Sequence, residues 1–143
     1  MSGVHDAVEA RLRAVGQRYT AQRRALVEAL LRAGNPVAIP ELADARGGLP
    51  QSSVYRNLAV LEQAGAVHRV VTGEEFARYE LAEELTEHHH HLVCRSCGTV
   101  EDVSVPPGLE RSMARILSDL SNRAGFSTVT HRLDLIGTCR KCR

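Results

Sequence analysis

The stretch LPQSSVYRNLAVLEQAG, residues 49–65, runs almost directly into VHRVV (67–71) and then FARYEL (76–81). Val54, Leu58 and Leu61 fall at i, i+4 and i+7, which makes a narrow apolar stripe on an otherwise polar helix. Ser52 or Ser53 can cap this helix, and Gly65 ends it. The two β-rich runs, joined through Thr72-Gly73, read as a hairpin. Upstream, residues 4–15 predict a short helix ended by Gly16. Thr20 can cap a second helix with Leu26 and Leu30 on one face and Gly34 as its stop. Asn35-Pro36 reads as a turn. Residues 40–46 predict a third, short helix with Pro at its first position, broken by Gly47-Gly48. Short helices, the last one amphipathic, followed by a hairpin are in the order of a winged helix-turn-helix.

After Leu81 the composition changes. The segment AEELTE (82–87) is acidic, lacks Gly and Pro, and fits a helical turn or a hinge. It divides the chain into residues 1–82 and 83–143. The second part predicts a strand (88–93), a knuckle (94–98) and a strand (99–103). A Pro-Pro turn, a helix (107–124), a strand (128–137) and a terminal CRKCR come after these. The fold class is therefore α+β: a winged helix-turn-helix followed by a small α/β domain.

The chain has 143 residues and is 43% apolar, enough for one ordinary core or two small ones. With no Trp, two Phe and three Tyr, those cores must be aliphatic. Net charge is +1, which gives no global argument for a nucleic-acid partner. Locally, Arg11 to Arg32 holds six arginines and one acid, Glu28, a basic stretch able to meet phosphates. No apolar run approaches the ~18 residues of a membrane span. The N-terminal residues lack the apolar centre of a signal peptide. The expected location is cytoplasmic, where four cysteines serve as metal ligands more often than as disulfides.

Those cysteines form two Cys-x-x-Cys pairs, Cys94/Cys97 and Cys139/Cys142. Four thiolates are the number a tetrahedral structural zinc takes. Two disulfides and a thioredoxin-type redox centre are the alternatives, although neither pair follows a strand into a helix as redox chemistry of that type needs. Ahead of the first pair run four histidines, His88 to His91. On a strand, neighbouring side chains point to opposite faces. His88 and His90 then look one way, His89 and His91 the other, and each pair can begin its own metal site. An exposed, solvated histidine tract is the alternative. Further ligands can come from His68, Glu80, Glu101, Asp102, Glu110 and His131, and imidazole with carboxylate suits Zn, Fe or Mn. His5 reads as a surface residue.

Taken together, SSVYRNLAVLEQAGAV, HHHHLVCRSCG and the terminal GTCRKC resemble the ferric uptake regulator superfamily of bacterial metal-responsive transcription factors, over roughly residues 10–143. The resemblance implies a winged-helix DNA-binding domain, a hinge and a C-terminal dimerisation domain. The homodimer would bind double-stranded, AT-rich palindromic operators and repress. It implies structural Zn2+ at Cys94, Cys97, Cys139 and Cys142, and a second site at His88, His90, Glu110 and His131. It also implies a regulatory Zn2+ or Fe2+ site between the domains at His89 and His91, with Glu80 and Asp102 resembling its acidic ligands. Iron- and peroxide-type members bring a histidine from the loop where this chain has Asn35-Pro36-Val37, and His68 is a candidate replacement. The histidine run and VCRSCG look most like zinc-responsive members. On the DNA side, Tyr55 and Arg56 match the family's contacting pair, and Arg18 and Tyr19 resemble residues at the minor-groove edge. Ser52, Ser53 and Asn57 lie close enough on the same helix to reach the DNA backbone.

Rival readings are an iron- or peroxide-responsive member of the same family, and a zinc-storage or redox-switch protein. There is no HExxH, no His-x-Glu with a following Pro-Cys-x-x-Cys, and no Gly-rich phosphate loop, so no enzyme or small-molecule substrate is expected.

Overall fold

The computed structural model describes residues 2–45, 49–71, 77–86, 88–127 and 130–143. The elements in chain order are α1 (Ser2–Ala14), α2 (Ala21–Ala33), β1 (Val37–Ala38), α3 (Ile39–Ala45), α4 (Gln51–Gln63), β2 (Val67–Val71) and β3 (Ala77–Leu81). A 3-10 turn (Glu83–Leu85) then leads to β4 (His90–Cys94), β5 (Val100–Val103), α5 (Pro107–Arg123) and β6 (Asp134–Gly137). Among the described residues no helix is long and apolar enough to cross a membrane.

The N-terminal elements form the winged helix-turn-helix. Val8 and Leu12 of α1, Leu26, Val27 and Leu30 of α2, Leu42 of α3, and Val54, Leu58 and Leu61 of α4 close one aliphatic core, completed by Val67, Tyr79 and Leu81 from the sheet. The Thr20 side chain accepts a hydrogen bond from the Arg23 N–H and caps α2, which ends at Gly34 with φ 70°. That left-handed position suits glycine because it carries no Cβ. At α4 the expected serine caps are corrected. Pro50 is the N-cap, no side chain caps the helix, and Ser53 N–H donates to the Pro50 carbonyl at 3.0 Å. The helix therefore starts a residue or two before either serine. Likewise α3 begins at Ile39, one residue before Pro40. The two-residue β1 was not expected; it pairs with β3, giving the sheet order β1-β3-β2. The Thr72-Gly73 turn and Gly47-Gly48 lie outside the described residues.

The β2/β3 register decides which side chains face the C-terminal part. His68 lies opposite Glu80 and Val70 opposite Arg78, while Val67 and Arg69 alternate with them opposite Leu81 and Tyr79. By strand alternation, one face of this sheet carries Val67, Tyr79 and Leu81 to the helices, and the other carries His68, Val70, Arg78 and Glu80. That second face meets the C-terminal part. Val70 packs with Val93 and Val100. Arg78 Nε donates to the Gly98 carbonyl at 2.8 Å, and Asp102 N–H donates to Asn35 Oδ1 at 3.0 Å.

The C-terminal part is a three-stranded sheet, β5-β4-β6, with β4 antiparallel to β5 and parallel to β6. The last strand covers Asp134–Gly137, shorter than the expected 128–137, of which 128 and 129 lie outside the described residues. Helix α5 buries none of its residues in the single chain, and Leu109, Ile116 and Leu120 are more than half exposed.

Candidate metal centres

Three groups of metal-ligating side chains assemble among the described residues. In each, the ligand atoms lie within 4.8 Å of one another.

The first is Cys94, Cys97, Cys139 and Cys142. The turn after β4 is closed by Gly98 N–H to the Cys94 carbonyl (2.9 Å), with Gly98 at φ 76°. β6 runs parallel to β4 and carries Cys139 alongside, so the Cys97 and Cys139 sulfurs stand 3.8 Å apart. No disulfide joins these four cysteines. Cys139 N–H donates to Cys94 Sγ at 3.3 Å; the amides of Cys139 and Cys97 hold the Cys94 thiol down at about 6. Cys142, facing the sulfurs of Cys139 and Cys97, is pushed up to about 12. Four thiolates this close do not coexist without a cation, and the donor set fits a tetrahedral zinc.

The second group is His88, His90, Glu110 and His131. All three rings aim Nε2 at Glu110: His88 and His90 at 2.8 Å, His131 at 2.6 Å. Glu110 is pushed up by burial, but hydrogen bonds from His90, His131 and His88 outweigh this and hold its carboxyl at about 2.

The third group is Glu80, His89, His91 and Asp102. Glu80 comes from the outer face of the wing sheet; the other three come from the C-terminal part. Glu80 Oε2 and Oε1 lie 2.9 Å from His89 Nε2 and His91 Nε2, one oxygen to each ring. Asp102 Oδ1 is 3.7 Å from both ring nitrogens, buried, and without a hydrogen-bond partner among the described residues. An orphaned carboxylate oxygen aimed at two imidazoles is what a cation would satisfy, so these residues fit a divalent metal. Alternation thus sorts the four histidines into two clusters, as expected, although His88 and His89 precede the β4 ladder. His68 is a correction. It shares the sheet face with Glu80, yet it is exposed and stands outside the cluster. Asp134 was missed: its Oδ1 lies 3.1 Å from His91 Nδ1.

The protonation pattern carries a pH prediction. Burial pushes Glu80 up, but hydrogen bonds from His91 and His89 outweigh it and hold the carboxyl below its ordinary value of 4.5. Burial pushes His91 down, but Glu80 and Asp134 outweigh it and raise the ring above 6.5. Asp102 is raised by burial, partly offset by the His89 charge. In the metal-free protein the raised His91 contributes stability below pH 6.5 that is lost as pH climbs through its folded value, and the lowered Glu80 contributes stability above pH 4.5 that is lost as pH falls through its own. Metal binding depends on pH with the opposite sign, because below the His91 value the metal must displace the ring proton. Metal affinity at this cluster, measured by titration between pH 6 and 8, is expected to fall about tenfold per pH unit below the His91 value. A flat profile would exclude His91 as a ligand.

On the DNA-facing side, Tyr55 is 57% exposed on α4. Arg56 and Ser52 are exposed as well, with Arg56 Nη2 donating to Ser53 Oγ at 3.4 Å, and Arg18 is exposed ahead of α2. Two further candidates have partners within the protein. Asn57 bridges α4 to α2, accepting from Arg23 Nε at 3.0 Å and donating to Gln22 Oε1 at 3.1 Å. Tyr19 hydrogen-bonds His5 Nδ1 at 2.6 Å and lies under the Arg24 guanidinium (4.8 Å), so His5 is a partner rather than a free surface residue. The polar groups of Asn57 and Tyr19 are engaged within the protein.

The model of the ferric uptake regulator family matches residues 14–136. The peroxide operon regulator of Bacillus subtilis (strain 168) is 31% identical over 135 residues, covering 92% of this chain and 88% of that protein. The peroxide-responsive repressor of Staphylococcus aureus (strain USA300) is 27% identical over 140 residues, covering 94% and 88%. The ferric uptake regulator of Helicobacter pylori superposes with a TM-score of 0.73 over 99% of this chain and 92% of that one; at 23% identity it speaks for the fold. The matched span runs from the end of α1 through the winged helix and both histidine clusters to β6, and the chain belongs to the ferric uptake regulator family, whose members are transcription regulators rather than enzymes.

Proposed function

We propose that this chain is a metal-dependent transcriptional repressor. As a homodimer it binds AT-rich palindromic operators when the Glu80–His89–His91–Asp102 cluster holds a divalent metal, with structural zinc at the four cysteines. One observation carries this reading: the regulatory donors come from both sides of the acidic hinge, Glu80 from the wing and the others from beyond it. A metal there ties the reading helix α4 to the C-terminal part, in the division 1–82 and 83–143. Two such helices must match half-sites about one DNA turn, ~34 Å, apart, so fixing the hinge raises the binding-competent fraction. Tyr55, Arg56, Ser52 and Arg18 would face the DNA. The exposed apolar residues of α5, with Leu135 and Ile136 of β6, support a self-association surface.

The sequence favours zinc as the regulatory metal. Two imidazoles and two carboxylates with no thiolate suit Fe2+ or Mn2+ as well, and the similarity to the B. subtilis peroxide operon regulator tips the reading to Fe2+ and a peroxide response. When bound, Fe2+ would let peroxide oxidise a ligating imidazole. Counting metals per chain before and after mild chelation, with operator binding measured for each metal, tests the reading. About one zinc resisting chelation, a labile iron, and oxygen addition at His89 or His91 after peroxide are expected. A labile zinc with no histidine oxidation would restore the zinc-responsive reading, and no metal-dependent operator binding would overturn the repressor reading altogether.

A further inference from the structure

The two buried histidines of β4 differ on the far side of their rings. His90 Nδ1 is buried with no hydrogen-bond partner among the described residues. His91 Nδ1 faces Asp134 Oδ1 at 3.1 Å, while its Nε2 faces the cluster, 2.9 Å from Glu80 and 3.7 Å from Asp102. Asp134 stands outside the ligand group; it touches the ring from behind.

The placement of Asp134 is fixed by main chain. It is the first residue of β6, in direct register with His91 across the parallel pair. One residue earlier, the Leu133 carbonyl accepts the His91 N–H at 3.1 Å. At the other end of β6 the Gly137 carbonyl accepts the Arg95 N–H at 2.9 Å, beside the cysteine cluster. A carboxylate on a strand anchored at both ends is a rigid acceptor, and a rigid acceptor fixes both the tilt of an imidazole and the nitrogen that keeps its proton.

We propose that Asp134 is a positioning residue for the inter-domain metal site, an inference that rests on the reading of that cluster as a metal site. By accepting Nδ1–H it keeps the ring turned so that Nε2, which hydrogen-bonds Glu80 in the metal-free protein, is the nitrogen that gives up its proton to a metal between Glu80 and Asp102. Without it the ring can rotate or present the wrong nitrogen, and the metal must select the competent state from a mixture. Loss of such a partner costs about 10- to 100-fold in metal affinity.

The test uses the full chain with its cysteine zinc retained, titrated with Co2+ alone and followed by its visible absorption. The share of Co2+ binding that His89→Ala removes belongs to the inter-domain site. Asp134→Ala is expected to weaken that share about 10- to 100-fold, and Asp134→Asn, whose amide oxygen still accepts, to weaken it less. A structural role would not touch the second readout: ring 15N shifts of His91 in the metal-free protein should show Nδ1–H in the unmodified chain and a redistributed proton in Asp134→Ala. If the unmodified chain shows the His89-dependent share and Asp134→Ala keeps it in full, or if the ring shifts do not move, Asp134 is not a positioning residue. If the unmodified chain shows no His89-dependent share at all, the metal reading of the cluster fails first and takes the role of Asp134 with it.

Discussion

Cys97→Ala is expected to strip the metal from the cysteine cluster and lower the Tm of the C-terminal part by on the order of tens of degrees. The reason is the small amount of apolar burial there. The N-terminal core joins residues from α1 through β3. In the C-terminal part, by contrast, the buried apolar residues among those described are Val93, Cys94 and Val100, with Val70 reaching in from the wing. A sheet so thinly covered does not hold by hydrophobic burial alone, and a metal joining the β4–β5 turn to the chain segment after β6 would supply the missing constraint. Differential scanning calorimetry with zinc analysis of the same sample decides the matter. A variant that melts like the unmodified protein would show that the four sulfurs do not hold the C-terminal part together.

His89→Ala should do the reverse, leaving the fold and the retained zinc in place and removing the metal response of operator binding. His89 holds one oxygen of Glu80 while His91 holds the other, and its side chain is 14% exposed beside the 310 Å3 cleft between the two parts. Removing it leaves three donors, and loss of a ligand costs the crosslink through Glu80 more than the about 10- to 100-fold that an outer partner such as Asp134 is worth. Fluorescence anisotropy on an AT-rich palindrome, with and without added metal, would show the unmodified chain gaining affinity and the variant gaining little. Val70, Arg78 and Asn35 still dock the two parts, so residual metal-independent affinity is expected in both. An unchanged metal response in His89→Ala would show that the switch lies elsewhere.

Much of this was legible in the chain itself. Helical spacing of Leu26, Leu30, Val54, Leu58 and Leu61 marked the N-terminal core, because a period of 3.6 places those residues on one side whatever surrounds them. Two Cys-x-x-Cys pairs named the cysteine site, and a period of two divided four consecutive histidines between two faces. These are local rules, and they operate over a few residues of chain.

Which distant groups meet was decided by packing. His68 and Glu80 are both candidates on paper and even face each other across the wing, but of the two Glu80 is within reach of His89 and His91. Asn57, read as DNA-facing from its helix position, and Tyr19, read so from the family resemblance, turn their polar atoms to Gln22, Arg23 and His5. Asp134 lies 43 residues from His91 and joins it through the parallel pairing of β6 with β4. Parallel pairing has no local signature, since its register is set after a long crossover by packing and ligation rather than by a turn. The residues and their spacing named the donors; the docking of β3 and β6 against β4 made them a site.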